Sequence, residues 1–309
     1  MLFMEPHKHE EIKMKQTRCG FVAILGAPNA GKSTLINQLV GSKVTIVSSK
    51  VQTTRQRILG ITIQGESQLI LVDTPGIFAP QKRLERAMVQ AAWEASRDAD
   101  LTALIVDVSQ KSLASSFAVL EKLGNQPVIL VLNKIDQVKH TALLEMTAKF
   151  QPFANITHTF MISALTGDGV SDFASFLAQE APISPWLYPE DQLTDMPQKL
   201  WAAETTREQL FQRLHHELPY NVMVETEAWE EFENGTLKVN QVIYVAREGQ
   251  KAIILGKGGH QIKAISSAAR EQMSIFLNRT VHLFLHVKVM EDWTNKPAMY
   301  RLMGLDFEA

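Results

Sequence analysis

The sequence predicts an α/β fold: a doubly wound, mostly parallel sheet, followed by a smaller α+β domain. Three observations lead there. Between residues 20 and 182, short runs of Val, Ile and Leu alternate with longer helical segments. The runs show little polar alternation, which marks strands buried on both faces, as in a parallel sheet covered by helices. Four prolines between 182 and 200 then interrupt the pattern, and a different order of elements begins.

The strands of the first domain are FVAIL (21–25), LILV (69–72), LTALIVDV (101–108), VILVL (128–132) and TFMIS (159–163). In ILGITIQGESQLILV, two runs meet at a short QGES turn, so a hairpin adds one antiparallel edge strand. Beyond the prolines come a helix near 199–216 and two strands, NVMVETEAWEEFE and TLKVNQVIYVARE, around Asn234-Gly235. A helix, the break GKGG (256–259), a second helix near 260–276 and the strand VHLFLHVKV (281–289) complete an α-β-β-α-α-β order. The expected division is a disordered leader 1–17, a first domain 18–182, a linker 183–198 and a second domain 199–309.

Composition narrows the function classes. A chain of 309 residues, 45% hydrophobic, suffices for two separate cores. A net charge of −2 argues against gripping nucleic acid or membrane with the whole surface. The single cysteine, Cys19, excludes an intramolecular disulfide, suits a reducing cytoplasm and reads as a packing residue. The start, MLFMEPHKHEEIKMKQ, lacks an apolar signal core, and no apolar run reaches the roughly 18 residues of a membrane span, so a soluble protein is expected.

GAPNAGKST (26–34) follows the first buried strand and opens a helix, the context a phosphate-binding loop requires. Gly26 and Gly31 let successive N–H groups face one anion, with Asn29, Ala30 and Thr34 in the same loop. Lys32 supplies charge for β and γ phosphates, and Ser33 a hydroxyl for Mg²⁺. Asp73, ending LILV, is placed to reach that metal, while Thr74, Pro75 and Gly76 turn a backbone N–H toward the γ phosphate. In SSKVQTTRQR either Thr53 or Thr54 can complete the Mg²⁺ shell, with Thr54 slightly preferred. The expected catalytic set is Lys32, Thr54, Gly76 and Asn29, and the metal set Ser33, Thr54 and Asp73.

NKID (133–136) follows VILVL directly. Guanine presents N1–H and N2–H₂ side by side, and the carboxylate of Asp136 accepts both; adenine offers an acceptor at N1 instead. Asn133 would tie the loop together and the Lys134 stem would stack on the ring. Ser163, Ala164 and Leu165 follow the last strand, with the Ala164 N–H directed at guanine O6. An ATP-using enzyme is disfavoured by Asp136.

Together GAPNAGKST, QTTR, DTPG, NKID and SAL resemble the signature of translation-factor-class GTPases. SSKVQTTRQRILGI and REGQKAIILGKGG make the chain, over about 18–307, similar to the Era family of bacterial ribosome-assembly GTPases. Ile77 stands where many small GTPases carry a water-orienting Gln, and the resemblance implies that an apolar residue there still permits hydrolysis. Asn29 resembles the residue that holds a potassium ion in cation-dependent relatives. K⁺ beside it, completed by carbonyls of the loop before Thr53, is the expected substitute for the missing side chain.

GKGG between two helices resembles the GXXG loop of a type II KH module, which clamps single-stranded RNA. Gly256, Gly258 and Gly259 would let a sugar-phosphate backbone approach, with Lys257, Lys251 and Lys263 supplying charge. Ile253, Ile254, Leu255, Ile262 and Ile265 are expected in the core and a groove for bases. Residues 204–233 hold eight Glu against Arg207 and Arg213, whereas 247–301 hold nine Lys and Arg against four acidic residues, so the basic side carries the glycine loop. The five histidines of this domain show no metal spacing.

The resemblance implies GTP hydrolysis with GTP/GDP and Mg²⁺, and binding of the 3′ end of 16S rRNA in 30S subunit assembly, the GTP state favouring the RNA-binding arrangement. It also implies a monomer in the cytoplasm, with a peripheral contact at the inner membrane. Thr205 and Thr206 replace apolar residues usual in the family, which leaves the packing of the first helix open. The competing expectation is a regulatory or membrane-associated signalling GTPase whose second domain binds protein.

Overall fold

The computed structural model describes residues 16–309 apart from 49, 51, 52 and 154; most of the expected leader, residues 1–15, therefore lies outside the described residues. The first unit runs β1 (Arg18–Gly26), α1 (Lys32–Val40), β2 (Ile58–Gln64), β3 (Ser67–Asp73), α2 (Arg83–Asp98), β4 (Leu101–Asp107), α3 (Ala114–Leu123), β5 (Val128–Asn133), α4 (His140–Ala148), β6 (Ile156–Ile162) and α5 (Val170–Glu180). The strands form one sheet in the order β2-β3-β1-β4-β5-β6. All neighbours are parallel except β2 and β3, the expected hairpin.

Every residue of β3 and of β5 is buried, as helices on both faces demand. One face packs Leu35 and Ile36 of α1 and Phe173 and Leu177 of α5 on the sheet. The other packs Ala92 of α2, Val119 and Leu120 of α3 and Leu143 of α4. Cys19 lies with Leu59, Ile70 and Val72 in a small cluster, its thiol pushed up by burial, in keeping with a packing role. The order reverses at β1, whose neighbours β3 and β4 leave in opposite directions. A crevice opens there at the carboxyl ends of the strands, the position at which such sheets bind ligands.

The second unit comprises α6 (Gln198–Arg213), β7 (Val222–Glu231), β8 (Leu237–Val245), α7 (Glu248–Leu255), α8 (His260–Phe276), β9 (Val281–Val289) and α9 (Pro297–Leu302). Its sheet is β7-β8-β9, antiparallel then parallel, because α7 and α8 carry the chain back across one face. The short α9 has no counterpart in the sequence reading. Thr205 and Thr206 do not loosen α6: both are buried, Thr205 Oγ1 donates to Trp201 O at 2.9 Å, and Thr206 Oγ1 donates to Gln241 Oε1 at 2.6 Å. Gln241 passes the network on to Thr226 Oγ1, so each hydroxyl replaces an apolar contact with a satisfied polar one. Ile254 and Ile265 are core residues, whereas Ile253 is 59% exposed, a correction to the expected core. On the two-turn helix α7, consecutive residues cannot share one face.

Candidate nucleotide site and RNA interface

Gly26 ends β1 with φ 150°, and a Cβ there would stand 2.4 Å from Ile105 O. Gly31, at φ 96°, leads into α1; a Cβ would meet Asn133 Nδ2 at 2.2 Å. Asn133 donates to Ala30 O at 2.8 Å and accepts from Ala164 N at 2.9 Å. One amide thus fastens the phosphate loop, the NKID segment and the SAL segment together. The Ala164 N–H, expected to face guanine O6, here serves that tie, so a base must share it. Lys134 leaves β5 at φ 69°, and its ammonium pairs with Asp107 Oδ2 at 2.6 Å. Burial pushes the Asp107 carboxyl up, but hydrogen bonds from Lys134, Ser109 and Gln110 outweigh this and hold it below its ordinary value. Asp136 is exposed in a 3₁₀ turn beside them.

Ser33 Oγ, Thr54 Oγ1 and Asp73 Oδ2 form a triangle with sides of 3.1, 2.8 and 3.2 Å. Asp73 Oδ1 is buried without a partner. Three hard oxygens and one unsatisfied carboxylate oxygen suit a small divalent cation such as Mg²⁺. Of the two threonines only Thr54 joins this triangle; the Thr53 hydroxyl donates to Lys50 O at 2.7 Å. Burial raises the Asp73 carboxyl to about 6, against the opposing effects of Lys32, Ser33 and Thr54. Burial lowers Lys32 to about 8, with Asp73 opposing. Its ammonium donates to Ala27 O at 2.9 Å and Gly26 O at 3.2 Å.

Gly76 lies against the loop so closely that a Cβ would meet Pro28 at 2.8 Å, and Ile77 N donates to Gly26 O at 3.0 Å. The Ile77 side chain points into the core with Leu25 and Leu104 and offers no group to water. The cavity over the loop measures about 390 Å³. Its walls also include Ile46, Val47, Ser48, Lys50 and Gln110, which sequence reasoning missed because no local motif marks them. Among the described residues there is no group of three or more His, Cys, Asp and Glu placed to share a metal, and no helix long and apolar enough to cross a membrane.

In the second unit, Gly256, Gly258 and Gly259 have φ of 70°, 61° and 77°. A Cβ on Gly256 would strike Gln261, one on Gly258 would only touch His260 at 3.8 Å, and one on Gly259 would meet open space. The first glycine permits the turn, and the other two keep its outer face low. Beyond the loop a groove of about 530 Å³ runs between α8 and β9. It is lined by Ile262, Lys263, Ser266, Arg270, His282 and Phe284 among others, but not by Lys251. Phe284, 56% exposed, was missed, although the alternation in VHLFLHVKV places His282, Phe284 and His286 on one face.

The two units meet through the segment that carries Thr54. Arg55 donates to Val222 O at 2.7 Å and Tyr220 O at 2.9 Å, while Arg207 of α6 donates to Thr53 O. Lys50 reaches Leu214 O at 2.6 Å, and Glu208 of α6 accepts from Val47 N at 2.9 Å and pairs with Lys43. Leu84, Ala87 and Met88 of α2, the helix after DTPG, pack with Met223, Tyr244, Trp293 and Tyr300. The acidic half of the second unit is therefore partly a docking face: the Glu208 side chain is 2% exposed.

The model of the 50S ribosome-binding GTPase family matches residues 21–134, and that of the KH domain matches residues 217–294. The chain is 54% identical to GTPase Era of Brucella suis biovar 1 (strain 1330) over 96% of both chains. It is 55% identical to GTPase Era of Rhizobium meliloti (strain 1021) over 94% of both. A crystal structure of Era in complex with MgGDPNP and nucleotides 1506–1542 of 16S ribosomal RNA superposes with a TM-score of 0.88 at 36% identity, covering 93% of this chain and 99% of that one. A variant of Aquifex aeolicus Era bound to GDP·AlF4⁻ matches with the same score, identity and coverage. With such identity along nearly the whole length, the chain belongs to the Era family of GTPases.

Proposed function

We propose that this protein binds and hydrolyses GTP and holds the 3′ end of 16S rRNA in its KH domain during assembly of the 30S subunit. The observation that carries the reading is the oxygen triangle of Ser33, Thr54 and Asp73, standing beside a phosphate loop that Asn133 locks to the base-reading segments. Ser33, Thr54 and Asp73 would hold Mg²⁺, which supplies neutralisation of charge on the β and γ phosphate oxygens. Lys32 adds a cation on the opposite side, Gly76 brings backbone to the γ phosphate, and Asp136 selects guanine. RNA follows the glycine loop, where Lys257 meets phosphate, into the groove between α8 and β9, where Lys263 and Arg270 meet further phosphates and Phe284 offers a stacking face.

The crossed contacts of Arg55 and Arg207 link the two activities. Thr53 and Arg55 flank Thr54, so whatever fixes Thr54 at the metal also fixes the strap against α6 and β7. GTP, holding Thr54, favours the docked arrangement and the RNA-binding state.

The Ile77 side chain lies in the core, and K⁺ beside Asn29 is the proposed source of extra positive charge. The loop expected to complete it includes residues 49, 51 and 52, which lie outside the described residues. Equal turnover in Na⁺ and K⁺ would remove this element.

The protein works as a monomer in the cytoplasm. Cell fractionation tests the expected contact with the inner membrane periphery. GTP and ATP hydrolysis measured side by side, with filter binding of short RNAs at several salt concentrations, tests the whole reading. It requires GTP selectivity and tight, salt-sensitive, sequence-selective RNA binding; nucleotide turnover without RNA binding would favour a protein-binding second domain.

A further inference from the structure

A second cavity, of about 340 Å³, lies between the Thr54 strap and the second unit. That volume falls within the range of small-molecule sites. Its floor is apolar, made by Leu200, Ala203, Met223, Val224 and Met303. Its charged walls are four cations, Arg55, Lys199, Arg207 and Arg301, against two carboxylates, Glu204 and Glu225.

The polar atoms are unevenly satisfied. Both oxygens of Glu204 are taken by Arg207, and Glu225 Oε2 accepts from Tyr244 Oη at 2.9 Å. Both Nη atoms of Arg55 serve Val222 O and Tyr220 O, and Nε and Nη2 of Arg207 serve Glu204 and Thr53 O. Left over are Arg55 Nε, Arg207 Nη1 and Gln56 Nε2, buried and without hydrogen-bond partners. They are three of the five such side-chain atoms among the described residues, all three are donors, and all three belong to side chains lining this cavity. Arg55, Gln56 and Arg207 are each at least nine-tenths buried.

Buried donors in excess require an acceptor, and a cationic rim over an apolar floor defines its shape. We infer that this cavity binds a small oxyanion, carboxylate or phosphate, carried on an apolar body, at the joint between the nucleotide-sensing strap and the RNA-binding unit.

The test is calorimetric titration of the full chain with its nucleotide site saturated by Mg·GDPNP, so that a phosphate cannot enter the loop at Gly26–Thr34. The probes are benzoate, phenyl phosphate and neutral benzyl alcohol. One of the two anions binds saturably with a Kd below about 1 mM, and benzyl alcohol binds at least about tenfold more weakly. Which anion prevails identifies the head group. Gln56→Leu, which removes one donor, weakens the anion at least about threefold. Ala203→Leu, which fills the floor, weakens it at least about tenfold, and retained GDPNP and RNA binding show that both units of both variants are folded. No saturation below about 10 mM would overturn the site, water then satisfying the donors. Equal affinity in wild type and both variants would also overturn it, marking an adventitious additive only.

Discussion

Asp73 must be ionised to hold a cation, yet its surroundings resist ionisation. Burial lifts its carboxyl from 3.8 to about 6. With that value the carboxylate is about nine-tenths ionised at pH 7 and about one-tenth at pH 5, so the apparent Mg²⁺ affinity falls about tenfold between them. A carboxyl at its ordinary value would stay ionised at both, and affinity would hardly move. The nucleotide's terminal phosphate also titrates near pH 6, so Asp73→Asn is the necessary reference. The assay is Mg²⁺ titration of the complex with a fluorescent GDP at pH 7 and pH 5. The ratio of wild-type to Asp73→Asn affinity drops about tenfold on acidification; an unchanged ratio would refute the assignment. The same shift has a stability side. A folded value above the unfolded one means that the native state takes up a proton. The penalty is fully present above about pH 6 and disappears as pH falls through the window toward 3.8. In the nucleotide-free protein Asp73→Asn therefore gains about 1–3 kcal/mol at pH 7 and nothing below pH 4, measured by denaturant unfolding.

Asp136→Asn leaves the two guanine donors without a carboxylate; GTP affinity drops on the order of 100-fold while xanthosine triphosphate gains, measured by competition. Gly258→Asp keeps the fold, because Asp tolerates the left-handed φ of 61° at a cost of about 1 kcal/mol and its Cβ would meet only the His260 ring, at a van der Waals distance of 3.8 Å. Its charge faces the RNA backbone, so RNA affinity falls more than about tenfold with GTP hydrolysis unchanged; joint loss of both activities would contradict separable sites. Arg55→Lys keeps the charge but cannot span Val222 O and Tyr220 O, so the influence of nucleotide on RNA affinity shrinks toward zero while nucleotide binding persists.

The fold was readable because buried parallel strands announce themselves as unbroken Val/Ile/Leu runs, and each run ends in a chemical motif at the crevice. Gly31 shows why the motifs survive as patterns: a side chain there would collide with Asn133, about a hundred positions later in the chain. What could not be read depends on contacts without local grammar. Nothing in SSKVQTTRQR says that Arg55 leaves its own unit to bond two carbonyls of the other, or that Lys50 both lines the phosphate cavity and caps α6. Thr206 finds its partner in Gln241 of β8, a residue 35 positions on, while Thr205 is satisfied by Trp201 O of its own helix. Phe284 is marked as outward-facing by the period-2 pattern of β9, but an exposed aromatic on a strand belongs to no local motif.

Coupling across the Arg55–Arg207 crossing is tested most directly by the affinity of the full chain for a short RNA matching the 3′ end of 16S rRNA, measured once with Mg·GDPNP and once with Mg·GDP at fixed salt. The GDPNP form should bind at least about fivefold more tightly, a difference that Arg55→Lys erases. Equal affinity in the two nucleotide states of the wild type would show that the strap carries no message between the units.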